Sequence, residues 1–275
     1  RTVEIARAAG VDHVVALPHN RGLATAFVTG LEACLKLGAD VIVNTDADNQ
    51  YDASCIPDLV RPIQEGRAML VVGERPIAKM KEFSVLKRLL QKLGSAVVRF
   101  VSATDVPDAP SGFRAIHRTA ALQLCVFSTY TYTLETLIQA GRKGLPVASV
   151  PVRVNLVTRP SRLVRSLPGY VGRSLMTIFR IFVLYKPFRF FFLLGTLFLL
   201  PGLIIGIRFL RAWFAGGGEG HVQSLILAAI LILAAFMTYA AGLLADLIAA
   251  NRLLLEDLRM RQLRSEVEAR RTGSA

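Results

Sequence analysis

Apolar and polar positions along this chain follow two rhythms, and the change between them divides it. Up to about Pro160, short β-branched runs alternate with stretches carrying apolar residues at helical spacing. Val11–Leu17 reads as a strand, Gly22–Leu37 as a helix, Val41–Asn44 as a strand, and Ser54–Glu65 as a helix capped by Ser54. Met69–Gly73 is the next strand, followed by a basic amphipathic helix from about Ser84 to Val101. Phe113–His117, helices over Arg118–Val126 and Thr133–Arg142, and the strand Val147–Val154 complete the series. Strands alternating with helices predict a largely parallel sheet covered on both faces. Further on the rhythm is lost. Phe190–Ile207 and Ser224–Ala245 are almost uninterrupted apolar runs, each near the roughly 20 residues that a membrane span needs.

Composition agrees with that division. The chain has 275 residues, 53% of them hydrophobic and 19% charged, and a mean hydropathy of +0.46. This is too apolar for an ordinary soluble domain. Lys and Arg set the expected orientation. Arg159, Arg162, Arg165, Arg173, Arg180, Lys186 and Arg189 precede the first run, and Arg252, Arg259, Arg261, Arg264, Arg270 and Arg271 follow the second. The connection between them holds only Arg208 and Arg211 against Glu219. By the positive-inside rule both flanks are cytoplasmic, at the cell membrane, and the turn lies outside. Residues 169–185 interleave aromatic and aliphatic side chains with Arg173 and Arg180, which suits a helix lying in the membrane interface. The net charge of +13 is placed mostly beside these runs, where anionic lipid attracts it. No nucleic-acid-binding pattern accompanies it, so no nucleic-acid partner is expected. Cys34, Cys55 and Cys125 are odd in number and far apart, which excludes a disulfide framework. The histidines share no metal-ligand spacing.

The candidate chemistry begins where the second strand ends. In Asp40-Val-Ile-Val-Asn44-Thr-Asp46-Ala-Asp48-Asn-Gln50 an apolar run stops on two carboxylates two residues apart, which alternation sends to one side. With the amide of Gln50 they make a set of hard oxygen donors for Mg²⁺ or Mn²⁺. A solvated Asp/Asn loop is the competing reading. Ligands of open α/β sheets bind beyond the carboxyl ends of the strands, where this pair sits.

Taken in order, His19-Asn20-Arg21-Gly22, Thr45–Gln50, Val72-Gly73-Glu74-Arg75 and Asp108-Ala-Pro-Ser111-Gly112-Phe113-Arg114 resemble the family 2 (GT-A) glycosyltransferases. Within them the likeness is to the polyprenyl-phosphate sugar transferases, the dolichol-phosphate mannose synthase-like group, and it covers roughly residues 1–165. The resemblance implies an α/β, Rossmann-like GT-A domain followed by a transmembrane hairpin. It divides the chain into a transferase domain at 1–158, a juxtamembrane loop and interfacial helix at 159–186, two spans within 187–246 and an amphipathic tail at 247–275. The opening strands that the family uses to hold base and ribose are absent, so the chain is expected to lack the N-terminal part of that domain.

The resemblance also implies roles. Asp46 faces the donor sugar and diphosphate, Asp48 is the metal ligand, and Gln50 supports it. Asn20, Arg21 and Gly22 lie on the nucleotide side, while Arg75 and Arg114 meet phosphate beside Ser111 and Gly112. Asp108 is an acid near the acceptor or, equally, a turn cap; Glu135 is a second such acid or a helix-surface glutamate. Lys87 and Arg88 in the basic helix, together with Ser95, would meet the lipid phosphate, unless that run is only a solvated face. Arg159 and Arg162 resemble a shortened mobile loop that closes over the diphosphate. The implied partners are a nucleotide-sugar and a polyprenyl phosphate, joined by a metal-dependent, inverting transfer. A processive family 2 transferase normally shows more spans and a Gln-x-x-Arg-Trp motif, and a non-catalytic membrane scaffold is a further alternative. The tail carries Leu253, Leu254, Leu258, Leu263 and Val267 among charges, which suits pairing in a homo-oligomer or contact with the membrane surface.

Overall fold

A computed structural model of the chain describes residues 2–76, 94–96, 98–126, 132–155, 176, 179–180, 183–216 and 222–273. It forms two compact units, one made of Arg1–Ser174 with Glu256–Ala275 and the other of Leu175–Leu255. In the first unit, α1 (Thr2–Ala8) and α2 (Leu23–Lys36) precede β1 (Val41–Asn44). A 3-10 turn (Ala53–Cys55) leads into α3 (Ile56–Gln64) and β2 (Leu70–Glu74). Then come β3 (Arg114–His117), α4 (Arg118–Gln123), α5 (Thr133–Arg142) and β4 (Val147–Pro151).

The strands form one mixed sheet in the order β1-β3-β2-β4. β2 and β4 are parallel, while β3 runs antiparallel to both β1 and β2. The expected largely parallel sheet is therefore corrected by one strand. The cause lies in the connection: residues 108–113 sit at the carboxyl ends of β1 and β2, so the strand that follows them must run back through the sheet. Three strand ends and the start of β3 thus share one edge, and the site is built there.

Alternation along the strands sorts the core. Val71 and Ala115 pack with Tyr51, Cys55, Leu59, Ile63, Phe113 and Val152 under α3. Their neighbours Leu70, Val72, Arg114 and Ile116 therefore face the other side, and all four are fully buried. On that side α5 carries the buried Leu137 and Ile138, and Phe27 of α2 stacks on Tyr132 with ring centroids 4.0 Å apart.

Two local expectations change. Val11–Leu17 forms no strand, because among the described residues nothing pairs with it, and a strand exists only through its ladder. The helix expected from Ser54 is entered through the 3-10 turn Ala53–Cys55 and becomes α-helical only at Ile56; the cap of that turn is Asp52, whose carboxylate accepts from the Ser54 N–H (2.9 Å) and hydroxyl (2.6 Å).

The second unit holds α6 (Pro187–Phe214) and most of α7 (Val222–Gly273), both long and apolar enough to cross a membrane. They pack antiparallel through glycines. Gly195 lies against the Tyr239 ring, Gly202 against Ile232 and Gly242 against Phe191. Small residues let helix backbones approach closely where no hydrophobic effect drives them together. The Thr196 and Tyr239 hydroxyls add a hydrogen bond of 3.0 Å across the pair.

The span and the tail are one helix, and the tail's side chains find partners inside the first unit. Arg259 pairs with Glu32 of α2 at 2.6 Å and donates to the Cys125 thiol at 3.0 Å. Lys36 pairs with Glu266 at 3.3 Å, Lys143 pairs with the buried Glu256 at 3.6 Å, and Val267 is buried. These contacts lie within the chain.

Candidate active site

Strand β1 places the first carboxylate. Its last residue, Asn44, turns back into the domain and donates from one amide to the Gly112 carbonyl (2.7 Å) and the Tyr132 hydroxyl (2.8 Å). The next two residues carry the chain out of the sheet, so Asp46 is half-buried and Asp48 is exposed. Asp48 Oδ1 accepts the Gln50 backbone N–H at 3.0 Å, and Asn49 between them takes a left-handed conformation (φ 58°). This tight turn holds the two carboxylates next to one another. Burial, and secondarily the charge of Asp48, raises the Asp46 pKa above the usual carboxylate range, against the opposing pull of Arg75 and Arg114.

Facing Asp46 is the loop before β3. Gly112 donates its N–H to the Tyr51 hydroxyl at 3.2 Å while its carbonyl accepts from Asn44, so its peptide is held on both sides. A Cβ at Gly112 would lie 2.7 Å from Asp46 Oδ2 and 3.0 Å from the Tyr132 hydroxyl. Only glycine leaves room for the carboxylate there. Burial, reinforced by Asp46, pushes the Tyr132 phenol up to about 12, so it stays protonated at neutral pH.

Arg75 follows β2 directly. Its Nε donates to Asp108 Oδ2 (2.7 Å), its Nη2 to Oδ1 (2.9 Å) and its backbone N–H to Oδ2 (3.2 Å). The two side chains are 11% and 1% exposed. Burial disfavours the Arg75 charge, but Asp108 outweighs it and the pKa is raised. The guanidinium is therefore a fixed cation in the field of Asp46.

Arg114 does something other than expected. It is entirely buried, and its donors are used by the chain itself. Nε reaches the Ser111 carbonyl (2.8 Å) and Nη2 the Ala109 carbonyl (2.7 Å). Nη1 reaches the Thr133 carbonyl (2.7 Å) and the Thr136 hydroxyl (2.6 Å). Strand parity turns this fork into the core, so it ties the 108–113 loop to α5 instead of meeting phosphate. Burial lowers its pKa to about 10, which still leaves it charged. Ser111 is likewise buried, with its hydroxyl 3.4 Å from that of Tyr51.

The nucleotide-side segment is open. Asn20 Oδ1 accepts the Gly22 N–H at 3.0 Å, the Arg21 side chain is exposed, and Gly22 enters α2 at φ 87°, a conformation that favours glycine. Glu135 is buried, which removes the helix-surface reading of it. Lys87, Arg88, Arg159 and Arg162 lie outside the described residues. Asn44, Tyr51 and Tyr132 were not singled out from the sequence. Tyr51 adjoins Gln50 and so was within reach of the motif, whereas nothing local marks Tyr132.

Among the described residues no cluster of three or more His, Cys, Asp or Glu side chains could hold a metal. Asp48 beside Asp46 still fits a cation of the Mg²⁺ type, which commonly takes one or two carboxylates and completes its shell with water and substrate phosphates.

Comparison with known proteins agrees with this geometry. Residues 1–124 match the model of glycosyl transferase family 2. A UDP-N-acetylglucosamine–dolichyl-phosphate N-acetylglucosaminyltransferase of Methanococcus voltae is 33% identical over 149 residues, covering 51% of this chain and 59% of the relative. An undecaprenyl-phosphate mannosyltransferase of Micrococcus luteus is 25% identical over 174 residues, covering 61% and 70%. The chain thus spans less than two thirds of the length of the first of these relatives. In fold it resembles a glucosyl-3-phosphoglycerate synthase of Mycobacterium tuberculosis, with a TM-score of 0.50 at 20% identity over 66% of this chain and 64% of that one. Motif order, sheet topology and the family match converge on residues 1–124, which are similar to the glycosyl transferase family 2.

Proposed function

We propose that the protein is a membrane-anchored, inverting glycosyltransferase that moves a sugar from a nucleotide-sugar to a polyprenyl phosphate, releasing a nucleoside diphosphate. The observation that carries this reading is the meeting of Asp46 and Asp48, at the end of β1, with the fixed cation of Arg75 at the end of β2. The relatives, whose names specify dolichyl-phosphate and undecaprenyl-phosphate acceptors, supply the acceptor class. The apolar α6–α7 pair supplies the anchor, with its Lys- and Arg-rich flanks on the cytoplasmic side.

A polyprenyl phosphate is already an anionic nucleophile at neutral pH. Catalysis is then mainly placement and charge stabilisation. Asp48, in the turn closed by Gln50, would hold Mg²⁺ or Mn²⁺; when bound, such an ion neutralises the departing diphosphate. Arg75 gathers negative charge from the same diphosphate. Asp46, backed by Gly112, borders the donor sugar. Asn20 and Arg21 lie toward the nucleotide, and Lys87, Arg88, Arg159 and Arg162 would add cations for lipid phosphate and diphosphate.

The test is transfer by the protein in detergent, with polyprenyl phosphate, Mn²⁺ and a panel of labelled nucleotide-sugars, beside an Asp48→Asn variant. Label in an acid-labile lipid, reduced at least a hundredfold in the variant and abolished by chelation, supports the proposal. A protein that transfers nothing, or transfers equally well as the variant, removes it.

A further inference from the structure

We infer that Asp108 is a positioning residue for Arg75 and takes no direct part in accepting a proton or binding the acceptor; this rests on the transferase reading above. The geometry is specific. Asp108 offers both carboxylate oxygens to one edge of the Arg75 guanidinium, and Oδ2 also takes the Arg75 backbone N–H. A planar fork gripped along its Nε–Nη2 edge can neither rotate nor swing. Among the described residues Nη1 has no acceptor, so the ungripped edge remains available to a ligand. The Arg75 side chain is 11% exposed, whereas that of Asp108 is 1% exposed. The cation therefore reaches the cleft surface and the carboxylate does not.

Two further observations agree. The Ser111 N–H donates to the Asp108 carbonyl at 3.1 Å, so the residue that holds Arg75 also shapes the turn leading to Gly112. Asp46, not Asp108, is the carboxylate pressed against the open face of Gly112. An acid meant to take a proton from an incoming nucleophile needs a free oxygen on the cleft side. Asp108 has both oxygens on Arg75. Its work is to fix the direction of a cation that would otherwise be a flexible side chain at a strand end.

The experiment is a double-mutant cycle on the full protein in detergent: wild type, Arg75→Ala, Asp108→Asn and the double variant. Transfer kinetics are measured with the donor that serves, and calorimetric titration uses UDP and GDP in the presence of Mn²⁺. If Asp108 acts through Arg75, each single variant loses about a hundredfold in kcat/KM and about tenfold in nucleoside-diphosphate affinity, and the double variant is no worse than Arg75→Ala. Losses that multiply in the double variant, or a fall in kcat at unchanged diphosphate affinity in Asp108→Asn, would overturn the inference. Should Asp108→Asn fail to fold by its melting profile, Asp108→Glu takes its place in the cycle with the same criteria. A wild-type protein that neither transfers sugar nor binds UDP or GDP instead overturns the transferase reading, and the inference with it.

Discussion

The Asp46 carboxylate occupies the space that a side chain at Gly112 would need, 2.7 Å from where its Cβ would stand. The loop that begins the antiparallel strand is thereby folded against the acid that ends β1. Gly112→Ala should push the carboxylate aside by a fraction of an ångström or more while leaving the sheet intact. We expect transfer activity to fall about a hundredfold, as small misplacements at reacting centres do, with the thermal midpoint lowered by only a few degrees. An alanine variant with wild-type activity would show that Asp46 has no fixed position to lose.

Arg114 is predicted to matter for stability before chemistry. Arg114→Leu leaves the Ser111 and Ala109 carbonyls without their donor in a buried site and removes one donor each from the Thr133 carbonyl and the Thr136 hydroxyl. Unsatisfied buried groups cost about 1–3 kcal/mol each, partly relieved by relaxation and water entry. The variant should lose about 3 kcal/mol or more by urea unfolding. Equal unfolding midpoints for Arg114→Leu and wild type would mean that the buried fork does not brace the loop.

Asp52 predicts a feature of the acid limb of stability. Hydrogen bonds from the Ser54 side chain and backbone, then from Arg153, lower its carboxyl to about 2 in the folded protein. An unfolded aspartate titrates near 3.9. The folded value is the lower one, so the contribution is fully present above about pH 4 and is lost as pH falls toward 2. Asp52→Asn should remove that part of the pH dependence, seen as a shallower decline of thermal midpoint between pH 4 and pH 2. A slope unchanged by the substitution would assign the acid limb to other carboxylates.

The hairpin gives a prediction independent of the active site. A side chain at Gly195 would meet the Tyr239 ring, its nearest atom 2.6 Å from the Cβ position. Gly195→Leu should force α6 and α7 apart, at a cost of about 1–3 kcal/mol, and lower the thermal midpoint in detergent. Leu193→Ala, on a face that is 69% exposed, should leave the midpoint unchanged. If the two variants behave alike, the glycine contact does not hold the pair together.

Much of this protein was legible locally. The β-branched run ending at Asn44, with its two carboxylates, is encoded in consecutive residues, and so are the two apolar helices, because length and side-chain type alone decide that such segments bury or cross. The 133–142 helix was bounded correctly by its own pattern. The reversed direction of β3 was not legible, since its four residues read identically either way and only the connection through the 108–113 loop decides. Parity then decides Arg114: it places the fork on the α5 side of the sheet, where it is wholly buried.

The sequence by itself determined which residue types were available and where the sheet edge would carry charge, through alternation, spacing and hydrophobic length. Tertiary structure alone decided which of those charges remain free to meet a ligand. Asp108 and Arg75 are 33 residues apart in the chain, and Asn44 and Tyr132 are 88 apart. Contacts at such separations depend on strand order and register, and no local pattern encodes them. Similar motifs can therefore present an arginine to phosphate, as proposed for Arg75, or commit it wholly to the core, as at Arg114.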